Sequence, residues 1–255
     1  MNIELDLPNQ SDRKALRDLW KEAFGDTEEF LDLFERTAYS PDRCRQLTLD
    51  GRLAAALYWF DCEYQGAKIA YLYAIATAKE QRGMGLCRQL MENTHEHLRA
   101  LGYAAALLVP SEPSLFGFYE KLGYKTATKV TEFSCAAADE SIELLRIEKE
   151  EYAKLRRKIL PSGGVIQEKE NMTYLAAQAE LYRGEQILLA ARKENETLVG
   201  IELLGDMNVA PKIVKALGAK KGTFRTVGND RKLSMIYQLN EQTTPTVTYF
   251  GIPFD

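Results

Sequence analysis

Histidine is scarce in this sequence, which has only His95 and His97 among its 255 residues. Two residues apart on a predicted helix, they point to different faces, so we expect a solvated helix surface and no shared zinc site. The four cysteines are scattered without a CxxC pair or a histidine-linked spacing. This pattern predicts reduced thiols and no metal centre.

Long apolar runs and an excess of positive charge are also absent. The opening segment MNIELDLPNQSDRKAL lacks the basic region and apolar core of a signal peptide, and no uncharged run is long enough to span a bilayer. Asp and Glu outnumber Lys and Arg by 37 to 33. We therefore expect a cytoplasmic protein with no membrane or nucleic-acid partner. The locally basic KLRRKIL and KALGAKKGTFR are interpreted as solvated faces, and nucleic-acid binding through them would require strongly salt-dependent affinity.

The hydrophobic content of 45% is enough for a sizeable core. Periodicity predicts helices over 12–23 and 28–38, antiparallel strands near 44–49, 53–62 and 67–77, a helix through Arg99, a buried strand YAAALLVP, a brief helix SLFGFYEKLGY and a closing strand KTATKVTEFSC. The strand before that long helix and the strand after it are joined by a helical crossover. They should therefore lie parallel in one sheet.

Past Asp139 the pattern restarts in shorter form. It predicts a helix halted by PSGG, a helix over roughly Met172–Gly184, a hairpin in QILLAARKENETLVGIELLGD, a helix in NVAPKIVKALGA, and strands in GTFRTVG, LSMIYQLN and TPTVTYFGIPF. The sequence thus predicts an α/β protein with mixed sheets and two domains, residues 1–138 and 139–255.

The segment QRGMGLCRQLMENTHEHLRALGY places Gly83 and Gly85 directly before a helix. A helix N-terminus offers unpaired amides and a positive dipole end to anionic oxygen, and glycine lets a diphosphate approach the backbone. An ordinary flexible strand-to-helix loop is the alternative. A Rossmann motif is not completed, because position 88 is arginine, and a Walker loop is absent.

In Arg82-x-x-Gly85-x-Cys87 the segment resembles the Q/R-x-x-G-x-G/A signature of the GNAT acyl-CoA N-acyltransferases. YLYAIAT resembles that family's central strand, AAALLVP its parallel neighbour, and FYEKLGYK its LYEKLGF ending. The resemblance covers residues 70–125 well and the order of elements over 1–135. It implies a GNAT fold whose cosubstrate is acetyl-CoA, with no metal.

The resemblance also implies roles for particular residues. The coenzyme A diphosphate would be held by the amides of Arg82, Gly83, Met84, Gly85, Leu86 and Cys87, and the pantetheine by backbone groups of Ile75 and Ala76. Tyr119 falls where the family often has the general acid that protonates the departing thiolate. A packed tyrosine on a short helix is the alternative for Tyr119.

The sequence departs from the family pattern at three places. Cys87 replaces Gly or Ala; packing is its expected role, although a helix N-terminus can lower a thiol pKa. Glu112 stands where the family often has Asn, seven residues before Tyr119. The central strand carries no Glu or Asp, which leaves the general base open. Another acid, a water relay or no base remain the alternatives. Asp61 and Glu63 on the preceding strand are the nearest candidates, although the polar outer face of an edge hairpin is the preferred interpretation for them. Glu28 and Glu29, between the first two helices, could face substrate or equally be helix-start carboxylates, and the resemblance of the second half to tandem GNAT proteins makes the terminal Asp255 a conceivable base.

The second half resembles the degenerate second lobe of tandem GNAT proteins, such as the aminoglycoside-acetylating enhanced intracellular survival group. It has no counterpart of the glycine pair, so we expect it not to bind coenzyme A. The implied function is N-acetylation of a primary amine, on a small molecule or a peptide, by direct transfer. A non-catalytic acyl-CoA sensor or adaptor is the alternative, and a homodimer is possible.

Overall fold

The structure is a computed structural model that describes residues 2–240 and 246–254. These residues divide into two units. One comprises residues 2–125 and 236–240, and the other comprises residues 126–235 and 246–254. The dividing point predicted near 138 lies inside the second unit. The assignment of a catalytic and a degenerate domain stays a prediction.

The helices and strands follow in chain order. The first unit is built from β1 (Ile3–Asp6), α1 (Arg13–Phe24), α2 (Glu28–Thr37), β2 (Cys44–Leu49), β3 (Arg52–Tyr64), β4 (Ala67–Thr77), α3 (Leu86–Ala100), β5 (Ala105–Leu108), α4 (Leu115–Glu120) and β6 (Lys125–Thr126). The second is built from β7 (Lys129–Ala136), β8 (Leu145–Arg146), α5 (Lys149–Ile159), β9 (Ile166–Gln167), α6 (Glu170–Gln178), β10 (Glu180–Arg183), β11 (Ile187–Glu194), β12 (Thr197–Gly205), α7 (Ala210–Ala216), β13 (Lys221–Val227) and β14 (Arg231–Lys232). The chain then returns to the first unit through β15 (Met235–Gln238). None of the helices within the described ranges is both long and apolar enough to cross a membrane.

Strong local signals account for the first two helices. In α1 the apolar positions bury Leu16, Leu19 and Trp20, and Gly25 ends the helix with φ 75° while its amide donates to the Lys21 carbonyl. At the start of α2 the Thr27 hydroxyl accepts a hydrogen bond from the Phe30 amide at 3.3 Å. Both helices lie where apolar periodicity predicted them.

The first sheet has the strand order β1-β2-β3-β4-β5-β15-β6. The three predicted antiparallel strands are confirmed as β2, β3 and β4, and the predicted parallel pair is confirmed as β4 and β5. The short edge strand β1 was not predicted. The centre of the sheet is thus a mixed α/β arrangement whose parallel strands are joined by α3.

The structure corrects the prediction that KTATKVTEFSC is a single strand closing the first sheet. Lys125–Thr126 belongs to the first sheet, but Lys129–Ala136 pairs antiparallel with β13 over seven positions in the second sheet. The place next to β5 is taken instead by β15, from LSMIYQLN. Alternating apolar residues identify a strand but do not identify its partner, so the exchange was not visible in the sequence.

The second sheet has the order β14-β7-β13-β12-β11-β10-β8. The predicted hairpin β11–β12 and the helix α7 are confirmed, and β12 and β13 are parallel. The helix predicted over Met172–Gly184 is wrong in its second half, because α6 ends at Gln178 and β10 follows. Leu181 on β10 is buried and pairs with Ala190 of β11, so sheet pairing decides the conformation there.

A buried ion pair lies inside the second unit. Arg156 of α5 donates from Nε to Glu202 Oε2 at 2.8 Å and from Nη2 to Oε1 at 3.0 Å. Tyr152 and Tyr249 each donate a hydroxyl hydrogen bond to the same carboxylate at 3.0 Å. The C-terminal segment of the described chain, which carries Tyr249, is therefore tied to β12 and α5 rather than forming the strand suggested for it.

His95 corrects the expectation of a solvated helix surface. It is only 3% exposed, its Nε2 lies 2.7 Å from the Tyr124 hydroxyl, and its ring stacks on Tyr237 at 4.0 Å. Burial, with a smaller contribution from the nearby Arg99 guanidinium, lowers the pKa of His95 from 6.5 to about 4. The imidazole is therefore neutral at neutral pH.

Acidification is expected to destabilise the first unit through His95. Because its pKa is lower in the folded than in the unfolded chain, the stabilisation is present above pH 6.5 and is lost as the pH falls toward 4. Between pH 7.5 and 5 the free energy of unfolding should fall by about 2 kcal/mol more in the wild type than in His95→Gln. Fluorescence of Trp20 and Trp59, both in this unit, measures the difference in urea unfolding. Equal pH dependence of the two proteins would contradict the assignment.

Candidate active site

The strands β4 and β5 separate toward one end of the first sheet. Their pairing runs from Ile69 opposite Ala105 to Leu72 opposite Leu108, whereas β4 continues to Thr77. A β-bulge follows immediately in β4. Between the register pairs Tyr58–Tyr73 and Ala56–Ala76, β4 has two residues and β3 has one, and Ala74 adopts φ 47°. The segment with Ile75 and Ala76 thus extends past the end of its parallel neighbour, with backbone groups on the β5 side that β5 does not pair.

The glycine loop follows this strand and leads into α3. Residues 82–85 are exposed, and Gly83 and Gly85 adopt φ 82° and 79°. A Cβ atom at either glycine would meet no protein atom within 4 Å. The glycines are therefore required for the left-handed backbone, and the space above the loop is open to a ligand. The Arg82 side chain fixes the loop to the strand, because its Nε donates to the Thr77 carbonyl at 3.1 Å.

No side chain caps the N-terminus of α3. Gly85 is its N-cap, and its first turn contains no acidic residue. The helix α2 differs, because Thr27 caps it and Glu28 and Glu29 occupy its first turn. The first amides of α3 are thus available to an external anion, and the fifteen-residue helix adds its dipole.

Tyr119 lies at the end of α4 and is 8% exposed. Its ring contacts Phe118 and Tyr124 edge-on, with centroids 5.2 and 5.9 Å away. Burial, and secondarily the nearby Cys87 thiol, raises the pKa of Tyr119 well above its usual value. The phenol is therefore protonated throughout the neutral range.

Cys87 connects the loop with this tyrosine. It interacts with Thr77 at the end of β4 as well as with Tyr119. Burial raises the pKa of the thiol to about 11, so the suggestion of a lowered pKa is wrong. A thiol that is protonated at neutral pH is a poor nucleophile. The side chain of Leu86 is also buried, so loop residues 86 and 87 can meet a ligand chiefly through their amides.

The carboxylates considered as a base do not converge on this place. Asp61 pairs with Ala70, five residues before Ile75 on β4 and so roughly 17 Å along the strand, and it accepts a hydrogen bond from Tyr103. Glu63 lies farther away, opposite Lys68. Glu28 forms ion pairs with Arg17 and Lys21, and the hydrogen bond from Arg17 is the main cause that lowers its pKa to about 2.

The remaining acidic residues singled out in the sequence have local roles or lie outside the described residues. Glu112 is exposed and accepts a hydrogen bond from Ser114 at 3.2 Å. Glu29 lies in the first turn of α2, where backbone hydrogen bonding lowers its pKa. Asp255 lies outside the described residues. Over the described ranges no group of three or more His, Cys, Asp or Glu could hold a metal ion.

Sequence reasoning missed Glu22 of α1. Its Oε1 accepts a hydrogen bond from the Lys79 amide at 3.1 Å, which ties α1 to the turn between β4 and the glycine loop. Glu22 and Lys79 are 57 residues apart, and no local pattern marks their contact. It helps to fix the direction in which the chain enters the loop.

Comparison with known proteins agrees with this geometry. Residues 4–127 match the model of the acetyltransferase (GNAT) domain. This part of the chain is a GNAT domain. The matched GNAT domain contains β4, the glycine loop, α3 and Tyr119. A search of curated proteins found no match to the chain.

Several solved structures resemble almost the whole chain. A GCN5-related N-acetyltransferase from Kribbella flavida gives a TM-score of 0.72 at 16% identity, over 93% of this chain and 71% of that one. A conserved protein of unknown function from Enterococcus faecalis V583 gives 0.73 at 18% identity, over 94% and 73%. A tandem GNAT protein from the clavulanic acid biosynthesis pathway gives 0.58 at 12% identity, over 94% and 99%. The likeness shows a GNAT fold with two lobes.

Proposed function

We propose that the protein is an acetyl-CoA-dependent N-acetyltransferase that transfers an acyl group directly to a primary amine of a small molecule or a peptide. The observation that carries the proposal is the uncapped N-terminus of α3, preceded by two glycines in left-handed conformations, beside the open edge of β4. Diphosphate oxygens need unpaired amides and an approach free of side chains, and this loop offers both.

The residues present fit the cosubstrate. Amides from Gly83 to Cys87 face its diphosphate, whereas the Arg82 amide already donates to the Lys79 carbonyl at 3.5 Å and would have to exchange that partner. Backbone groups of Ile75 and Ala76 pair with the amide groups of its pantetheine arm as an added strand would. The amine nitrogen attacks the thioester carbonyl, and the Ile75 amide stabilises the oxygen that gains charge. The carbon–sulfur bond then breaks, Tyr119 donates its proton to the leaving sulfur, and the proton lost by the amine passes to solvent and restores the phenol.

The geometry favours direct transfer over a covalent acyl-enzyme. Cys87 is the thiol nearest the loop, but its raised pKa keeps it protonated. Cys44, a further free thiol, is fully buried and its pKa is also raised by burial. Neither is a competent nucleophile near neutral pH.

The second lobe is proposed not to bind coenzyme A. Its parallel strands β12 and β13 have an irregularity between Gly200 and Leu203 but pair again at Leu203 opposite Thr226, close to the end of both strands. Its crossover helix α7 has only seven residues and begins Ala210-Pro211. Within the described residues, the β12–α7–β13 crossover therefore offers neither a long unpaired extension of its first strand nor a long helix. Cytoplasmic location and a homodimer stay predictions.

Calorimetric titration with acetyl-CoA tests the proposal. Gly85→Glu should weaken binding roughly 100-fold, because a carboxylate then faces the diphosphate and like charges in contact cost several kcal/mol. Gly102→Glu is the matched control, since Gly102 adopts φ 80°, has equally open surroundings and follows the opposite end of α3. Unchanged affinity in Gly85→Glu, or equal losses in both variants, would refute the proposed diphosphate site.

The absence of a strand carboxylate and the presence of Glu112 support the second candidate, an acyl-CoA sensor without turnover. Release of free thiol from acetyl-CoA, measured with spermine, kanamycin, tryptamine and a lysine peptide, separates the two. Thiol release that depends on an added amine supports the enzyme. Tight acetyl-CoA binding without such release from any of these amines would favour the sensor.

A further inference from the structure

The returning strand β15 places an aromatic side chain behind the candidate acid. The Tyr237 ring lies parallel to His95, with an interplanar angle of 10° and centroids 4.0 Å apart. His95 Nε2 is 2.7 Å from the Tyr124 hydroxyl, and the Tyr124 ring meets the Tyr119 ring edge-on. The Tyr237 ring also contacts the Tyr124 ring directly, with centroids 5.4 Å apart. Tyr237, His95, Tyr124 and Tyr119 thus form a continuous line of ring contacts in which Tyr237 reaches Tyr124 both directly and through His95.

The backbone reinforces this line. Tyr119 is at the end of the six-residue helix α4, and its carbonyl accepts the Tyr124 amide at 3.1 Å. Tyr237 also packs against the turn between them, because a Cβ at Gly123 would lie 3.0 Å from its ring. A shift of Tyr124 therefore reaches Tyr119 through both the ring contact and the turn.

Arg99 of α3 holds the strand that carries Tyr237. Its Nε donates to the Leu239 carbonyl at 3.1 Å, and its Nη2 donates to the Tyr237 hydroxyl at 3.3 Å. The guanidinium also lies over the Tyr237 ring, 5.9 Å from the centroid. The ring is thus fixed on one side by α3 and on the other by the turn after α4.

We propose that Tyr237 is a positioning residue for Tyr119, acting through His95 and Tyr124. The inference rests on the proposed function. It implies that the acyltransferase site of the first unit requires residues near the end of the chain, outside the matched GNAT domain. A helix of six residues such as α4 has little stability of its own. The contacts among the rings of Tyr237, His95 and Tyr124 supply the packing that orients the Tyr119 phenol at the end of this helix.

A double-mutant cycle in the full chain tests the proposal. Tyr237→Leu removes the stacked ring and should lower kcat about tenfold, with the acetyl-CoA affinity measured by calorimetry unchanged. Tyr237→Phe retains the ring and should stay within about twofold of the wild type. In a Tyr119→Phe background Tyr237→Leu should cause no further loss, because the group it positions is already absent.

Multiplicative losses in the double variant, or an equal loss in Tyr237→Phe, would overturn the proposal. If Tyr119→Phe alone keeps full activity, the acid assignment fails, and the two failures are thus distinguishable.

Tyr124→Phe is the milder second variant, since it removes only the hydroxyl that meets His95, and it should show the same lack of additivity. In a protein labelled with ¹³C at tyrosine Cζ, the Tyr119 signal, assigned by its loss in Tyr119→Phe, should shift in Tyr237→Leu. An unmoved signal would count against the inference even without turnover.

Discussion

Glu202→Ala is expected to lower the free energy of unfolding of the second unit by about 3–5 kcal/mol. The side chains of Arg156 and Glu202 are 2% and 0% exposed. Once the carboxylate is removed, Arg156 cannot escape by losing its proton, because a guanidinium stays charged at any relevant pH. Removing the carboxylate therefore leaves a buried charge without its counter-charge and two tyrosine hydroxyls without their acceptor, although Arg156 still donates to the Val165 carbonyl and to Gln167.

Urea unfolding followed by circular dichroism measures this loss. Glu196→Ala is the matched control, because Glu196 forms an exposed pair with Lys220 in the same unit, and its removal should change stability by less than about 1 kcal/mol. Adding Arg156→Met to the Glu202 variant should recover part of the loss, since no charge then remains buried. Equal stability of the Glu202→Ala and Glu196→Ala proteins would contradict the argument.

The same network explains a glycine near the C-terminus. A Cβ at Gly251 would lie 1.8 Å from Glu202 Oε1 and 2.4 Å from the Tyr249 hydroxyl. Gln167 adds a further tie, because its Nε2 donates to the Ile252 carbonyl at 2.7 Å. The described C-terminal segment is thus fixed by polar contacts in the interior of the second unit, and its position depends on the ion pair remaining intact.

Features that depend on neighbouring residues could be predicted from the sequence. The glycine pair, the helix after it and the hairpins at Asp50-Gly51 and Gln65-Gly66 follow from local backbone requirements, and Gly51 and Gly66 do adopt φ 77° and 81°. The parallel pairing of β4 and β5 followed from the helical connection between them. These signals are short-range, and a single sequence contains them in full.

Features that depend on distant contacts could not be predicted in this way. The segment LSMIYQLN predicts the strand β15, but nothing in it indicates that this strand pairs with the first sheet rather than the second. His95 follows the buried Met91 by four residues and precedes the buried Leu98 by three, so its helical spacing is compatible with burial. Its stacking partner Tyr237 comes from 142 residues farther along the chain and could not be predicted. The anion-binding role of residues 82–87 was inferred from the glycine pair and the helix N-terminus, whereas coenzyme A as the ligand and the roles of Ile75 and Ala76 came from the family resemblance. All of these assignments stay proposals.

The two lobes differ where their parallel strands end. In the first sheet β4 continues five residues beyond its last pair with β5, and its bulge at Ala74 turns Ile75 out of the regular ladder. In the second sheet the irregularity lies between Gly200 and Leu203, after which β12 and β13 pair again. A pantetheine arm needs an unpaired strand edge, so this difference is the structural basis on which we propose cosubstrate binding by the first lobe alone.

Tyr119→Phe is expected to lower kcat about 100-fold or more while leaving acetyl-CoA affinity within about twofold, because general acid catalysis contributes about 10²–10⁴-fold and the ring is retained. The raised pKa of Tyr119 keeps the proton on the phenol, so wild-type kcat should show no fall due to its ionisation below pH 10. Rates of thiol release with the most active amine, measured between pH 6 and 9, check both statements.

Tyr182→Phe is the matched control for this experiment, since Tyr182 lies on β10 of the second unit and donates its hydroxyl to Glu180. It should retain wild-type kcat. A Tyr119→Phe protein with kcat within twofold of the wild type would show that the departing sulfur takes its proton from elsewhere. In that case the burial of Tyr119 between Tyr124 and Cys87 would serve packing alone, and the loop amides would remain the part of the proposal still supported by calorimetry.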